Sequence, residues 1–181
     1  MKLLAFAASN SSTSINRKLA HYAASLMPDA EVETVDIHDY ELPIFSQDRE
    51  RELGQPQLAK DFLRKLQQPD ALIISYAEHN GSYTAAWKNL TDWVSRIDNK
   101  YFANKPMIIM ATSPGAGGAK SVLEQAQKSA PFFGANIVAA ISVAKFNDNF
   151  DTTAGRITNP EIDRQIREGI ALLSNAVAEK T

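Results

Sequence analysis

Four apolar runs punctuate the chain: Leu3–Ala8, Ala71–Ser75, Met107–Ala111 and Ile137–Val143. Each is unbroken rather than alternating, the pattern of a strand buried on both faces. A fifth segment, Glu31-Val32-Glu33-Thr34-Val35-Asp36, alternates polar and apolar residues and predicts an outer strand with one wet face. Helical periodicity fills the intervals. Ile15, Leu19, Tyr22, Ala23 and Leu26 share one face; Leu58, Phe62, Leu63 and Leu66 share another in a helix opened by Pro56. Tyr83, Trp87, Leu90 and Val94 mark a third helix, and Ala119 to about Ala130 a fourth. The last begins at Asn159-Pro160-Glu161, with a capping Asn, a first-turn Pro and an acid that favours the dipole. Its apolar face is Ile162, Ile166, Ile170, Leu173 and Val177.

Strand then helix, five times over, predicts an α/β fold: a five-stranded parallel sheet with helices on both faces and right-handed crossovers. Tyr40–Gln55 and Phe146–Asn159 are the longer stretches without periodicity. The chain shows no repeat or linker, so residues 1–181 read as a single domain.

Composition narrows the function. A net charge of −2 gives no support for nucleic-acid binding. No apolar run approaches the roughly 20 residues of a membrane helix. The start, Met1–Ala8, is too short an apolar run for an export signal and passes straight into a helix pattern, so the cytoplasm is the expected compartment. With no cysteine there are no disulfides, thiol nucleophiles or iron–sulfur clusters, and His21, His38 and His79 have no metal-binding spacing. No metal site is expected.

In such sheets ligands bind beyond the carboxyl ends of the strands, where strand order reverses. Three loops there are unusual. Ser9-Asn10-Ser11-Ser12-Thr13-Ser14-Ile15-Asn16 puts five hydroxyls and two amides at a helix start, where free N–H groups and the dipole favour a phosphate. It is neither a dinucleotide fingerprint nor a Walker loop. Tyr76-Ala77-Glu78-His79-Asn80-Gly81-Ser82-Tyr83 offers aromatic surface, an amide and a carboxylate around a flexible glycine. In Thr112-Ser113-Pro114-Gly115-Ala116-Gly117-Gly118-Ala119, three glycines in four residues let backbone N–H groups approach a ligand. Together they describe a ligand with a phosphate at one end and a flat polar ring at the other. FMN fits that description.

On these residues the chain resembles the NADPH-dependent FMN reductase family, which has a flavodoxin-like fold and includes chromate, quinone and azo-dye reductases. Ser9, Ser14 and Asn16 match the family's first loop, with Ala8 in place of its Gly and Ser11 in place of its Arg. Glu78, Asn80 and Ser82 match the second, with Ala77 and His79 in place of Pro and Tyr. Trp87-Lys88-Asn89-Leu90-Thr91-Asp92-Trp93-Val94-Ser95-Arg96 is the most specific match, and Ser113-Pro114-Gly115-Ala116-Gly117-Gly118 resembles the glycine loop shortened by about one residue.

The resemblance implies an NAD(P)H-dependent oxidoreductase with FMN and NADPH as cofactors. Hydride would pass from nicotinamide to flavin N5, then to a small-molecule acceptor, in a ping-pong cycle. The expected FMN residues are Ser9, Ser11, Ser14, Ile15, Asn16, Ala77, Glu78, His79, Asn80, Gly81, Ser113, Gly115, Gly117 and Gly118; no side chain is expected to act as acid or base. A flavodoxin-type electron carrier and a flavin-free phosphate-binding domain remain alternatives. A homodimer, or a tetramer built from it, is also expected: Trp87 and Trp93 point about 120° apart on one helix. Trp87 then faces the sheet, while Trp93 and Ile97 help fill a subunit contact.

Overall fold

The computed structural model describes residues 1–180. In chain order the elements are β1 (Lys2–Ala8), α1 (Ile15–Ser25), β2 (Glu31–Thr34), α2 (Gln47–Leu53), α3 (Gln57–Gln67), β3 (Ala71–Tyr76), β4 (Glu78–His79), β5 (Ser82–Tyr83) and α4 (Ala85–Val94). They continue with β6 (Pro106–Thr112), α5 (Lys120–Ser129), β7 (Asn136–Val143), α6 (Phe146–Asn149), β8 (Phe150–Asp151), β9 (Arg156–Ile157) and α7 (Pro160–Ala178). Five strands form a parallel sheet in the order β2-β1-β3-β6-β7.

Alternation within the unbroken apolar runs feeds two separate cores. Leu4, Phe6, Ile74 and Ile109 face Phe62 of α3, Trp87 of α4 and Val122 of α5. Leu3, Ala5, Ile73 and Ile108 face Leu19 of α1 and Ile166 of α7. Both faces of the sheet are covered, which is why its central strands carry no polar side. The short β2 lies at the sheet edge with all four residues exposed, so the expected single wet face becomes two. Among the described residues no helix is long and apolar enough to cross a membrane.

The two stretches without periodicity are structured. Ser46 caps α2 by accepting the Arg49 N–H at 3.0 Å, and Gly54 ends it at φ +65°. That helix buries none of its residues, so no apolar stripe marks it. Pro56 caps α3 from outside rather than opening its first turn. Beyond β7, α6 and the β8–β9 hairpin occupy most of the second stretch. The strand order reverses between β1 and β3, and the loops that leave β1, β3 and β6 cluster there. Thr181, the end of the expected domain, lies outside the described residues.

Candidate functional site

The hydroxyl-rich loop is organised by its own serines. Ser14 caps α1, its Oγ accepting the Arg17 N–H at 3.2 Å. Ser9 Oγ accepts the Ser11 N–H, also at 3.2 Å. Both serines are nearly buried. Each oxygen serves as an acceptor for the loop, which leaves each hydroxyl proton available to donate outward. The N–H groups of Ile15 and Asn16, in the first turn of α1, have no carbonyl above them. A helix start with open N–H groups and outward hydroxyl donors suits an anion.

A cavity of about 240 Å³ opens on this loop. It brings together Ser9, Ser11, Ser14, Ile15, Asn16, Ala77, Glu78, His79 and Ser113 of the expected residues. Asn80, Gly81, Gly115, Gly117 and Gly118 lie outside its lining. Thr13, Thr112 and Pro114 also line it; they belong to the candidate loops but not to the expected flavin residues.

Several residues are there for the protein's own structure. The loop after β3 is a tight antiparallel hairpin of β4 and β5, not a flexible segment. Asn80 and Gly81, at φ 52° and 76°, form its two-residue turn, the conformation that Asn-Gly favours. Glu78 reaches across to α5 and accepts the Val122 N–H at 2.9 Å. Ala119, before α5, offers no side-chain cap, so Glu78 supplies one from another loop. Ser82 donates to Gln125 at 2.9 Å, and Tyr83 and Ser129 share a hydroxyl bond of 2.8 Å, which seats the hairpin on α5.

The glycines divide by role. Gly118 has φ +60°, and a Cβ there would stand 2.4 Å from Ser142 Oγ and 3.0 Å from Ala144 N. Its carbonyl accepts the Ser142 hydroxyl at 2.7 Å. A Cβ on Gly117 would meet nothing within 4 Å. Gly118 is therefore needed for packing against the end of β7, while Gly117 borders open space. The loop is held from outside, with Gly115 O accepting Lys145 N–H and Ser113 O accepting Phe146 N–H, at 2.9 and 3.1 Å.

Asn16 differs most from expectation. Its carboxamide points into the protein, bonded to Ser75 and to both backbone groups of Thr112, so its Oδ1 is not free for a ligand. Arg17 is a further residue at the loop, outside the expected set. Its guanidinium donates to the Ser11 carbonyl at 3.2 Å and to Asp36 at 2.5 Å, which sets a cation beside the loop where Ser11 replaces an arginine.

The motif from Lys88 to Arg96 serves the fold rather than the cavity, because it docks the segment between β2 and α2. Asn89 accepts the Phe45 N–H at 2.8 Å and donates to the Leu42 and Pro43 carbonyls at 3.0 and 3.1 Å. Trp93 Nε1 donates to the Pro43 carbonyl at 2.8 Å, and Phe45 packs edge-on to its indole at 5.1 Å. Arg96 pairs with Glu50 of α2. Trp93 is consequently 1% exposed and Ile97 packs half-buried on the same core. The expected Trp93 subunit contact is corrected: a strap of the same chain covers that indole.

The family model described as NADPH-dependent FMN reductase matches residues 1–148. An uncharacterized protein of Mycoplasma pneumoniae is 35% identical over 148 residues, 78% of this chain and 86% of that protein. A 2-hydroxy-1,4-benzoquinone reductase from a Burkholderia species is 38% identical over 107 residues, 58% of this chain and only 56% of the reductase. Among solved structures, FerB, a flavoenzyme NAD(P)H:acceptor oxidoreductase from Paracoccus denitrificans, superposes with a TM-score of 0.75. That likeness covers 96% of this chain and 95% of FerB at 21% identity, and it establishes the flavodoxin-like fold.

Proposed function

The chain belongs to the NADPH-dependent FMN reductase family, and from that membership we propose that it holds FMN at the β1–β3–β6 edge and uses NAD(P)H to reduce a small acceptor of quinone type. The observation that carries the reading is the first turn of α1. Open N–H groups and the hydroxyls of Ser9 and Ser14 converge there at the point of strand reversal. These are donors without a fixed charge, and the phosphate of FMN fits them. Arg17 at the loop's shoulder holds the Ser11 carbonyl, its own charge being paired with Asp36.

The ring fits between Ala77–His79 and the open space at Gly117. Bound FMN would supply hydride and electron transfer between nicotinamide and acceptor. The protein's share is to bind and orient. Backbone N–H groups near Gly117 would stabilise negative charge on the reduced ring without reorganising. Glu78 acts indirectly, by fixing the hairpin to α5. The reading includes a single domain, a cytoplasmic location and a homodimer. The dimer predicts a sedimenting mass near twice the 19.9 kDa of one chain, and a clean monomer at low micromolar concentration contradicts it.

Absorption spectroscopy tests the whole. Purified protein titrated with FMN should reach one flavin per chain, bleach with NADPH under anaerobic conditions and recover on adding a quinone. Uptake without NADPH oxidation makes the chain a flavodoxin-type carrier. No uptake refutes the FMN site.

A further inference from the structure

Three buried groups join the two halves of the candidate site from beneath. Ser75 is fully buried, and Thr112 and Asn16 are 2% and 3% exposed. Thr112 is the last residue of β6, and the pairing of β6 with β3 stops one residue earlier, at Ala111 opposite Tyr76. The Thr112 N–H and C=O thus face a place where no strand continues. The Asn16 carboxamide fills it. Its Oδ1 accepts the Thr112 N–H at 3.0 Å and its Nδ2 donates to the Thr112 carbonyl at 3.2 Å. A primary amide carries the donor and acceptor of a peptide group on two separate atoms, so it stands in for the missing strand residue, which an ionised carboxylate, an acceptor only, could not do. Ser75, on β3, donates its hydroxyl to the same Oδ1 at 2.7 Å and fixes the amide's orientation. The Thr112 hydroxyl donates onward to the Val143 carbonyl at 2.7 Å. One side chain in the first turn of α1 therefore grips the root of the glycine loop.

We infer that Asn16, oriented by Ser75, is a positioning residue that sets the span between the anion-binding turn of α1 and the ring-binding loop Ser113–Gly118, an inference that rests on the FMN reading. A ligand that occupies two subsites gains from the second only when their separation matches its own length. Holding that separation fixed before the flavin arrives lowers the ordering cost of binding. A ligand that uses one subsite is indifferent to the span. Asn16 and Ser75 should thus matter for FMN, which reaches both loops, and not for riboflavin, which lacks the phosphate. A residue that merely stabilises the fold would affect the two flavins alike.

The test compares FMN and riboflavin affinities, by flavin fluorescence titration, for the wild type, Ser75→Ala and Asn16→Ala, with a thermal melt of each to confirm folding. Ser75→Ala removes one hydroxyl and leaves the amide's bonds to Thr112, so it decides the matter if Asn16→Ala does not fold. The expected result is an FMN Kd raised about five- to tenfold with riboflavin changed by less than about twofold, the effect of losing the pre-set span rather than a contact to the flavin. Asn16→Ala should move FMN further in the same sense. Equal losses for both flavins, or an unchanged FMN Kd in a folded variant, overturn the spacer. A wild type that binds neither flavin overturns the cofactor reading itself and the spacer with it.

Discussion

Gly117 and Gly118 are adjacent, yet substitution should separate their roles cleanly. Gly118→Ala forces a side chain into the left-handed region at φ +60°, at a cost of about 1–2 kcal/mol. Its Cβ would also stand 2.4 Å from Ser142 Oγ and 3.0 Å from Ala144 N. The serine can rotate away only by giving up its bond to the Gly118 carbonyl, and the backbone nitrogen cannot rotate at all. Overpacking of this kind costs about 1–3 kcal/mol. A central sum of about 3 kcal/mol lowers the melting temperature of a chain this size by roughly 6–12 °C. A Cβ at Gly117 meets nothing within 4 Å and there is no positive φ to strain, so flavin-free Gly117→Val should melt near wild type. Its isopropyl group would occupy the space assigned to the ring edge, so FMN uptake should fail. Calorimetric melts without flavin and an FMN titration of both variants give the two readouts. A Gly118→Ala protein that melts like wild type, or a Gly117→Val protein that takes up FMN at full stoichiometry, refutes this division of labour.

Replacing Ser9 and Ser14 together by Ala should weaken FMN by about 1–3 kcal/mol, through two lost donors to a charged group; an unchanged Kd in the double variant removes these serines from the phosphate site. Asn89→Ala deletes three bonds to the strap and should destabilise the protein by about 2 kcal/mol while speeding limited proteolysis between residues 40 and 46. Cleavage at the wild-type rate would mean that Trp93 holds the strap alone. All five tyrosines are pushed up by burial, Tyr22 to about 12 with help from its bond to Asp163. Raised folded values favour the native state fully below the ordinary tyrosine value of 10.0 and withdraw that stability as pH climbs toward 12. Unfolding there should coincide with the phenolate absorbance rise, and full phenolate formation in a still-folded protein argues against the burial account.

The central sheet is legible in the sequence because two-sided burial leaves unbroken apolar runs, and Leu3–Ala8 and Met107–Ala111 each fall within one residue of the strand. Strand order carries no such local mark and is read from the structure alone. Helix α2 leaves no apolar stripe because it buries nothing, and the charges of Gln47–Glu52 read equally as a solvated loop or a helix start. The Trp93 expectation fails for a related reason. An angular argument on one helix counts faces but not what covers them, and here residues 42–45 pass over α4 with no periodicity of their own. Polar residues are the hardest to read. Asn16 and Glu78 sit in the loops where a ligand would want them, yet the same groups are needed to complete β6 and to cap α5. Residue type cannot distinguish those uses; only the direction of the side chain does.

Burying both indoles within one chain has a spectroscopic consequence. Trp87 packs on Phe6, Phe62 and Tyr76 at 5.9, 6.2 and 5.7 Å, and Tyr76 immediately precedes the ring-side loop. Trp93 touches Phe45 and Pro43 of the strap. The protein therefore carries two intrinsic lamps at different addresses. Trp87 illuminates the scaffold beneath the site, where a bound yellow chromophore would drain its emission. Trp93 illuminates the strap, where emission follows local hydration. With one indole replaced by Phe, each surviving lamp reports its own neighbourhood, so flavin docking and strap movement can be watched as separate colours of the same experiment.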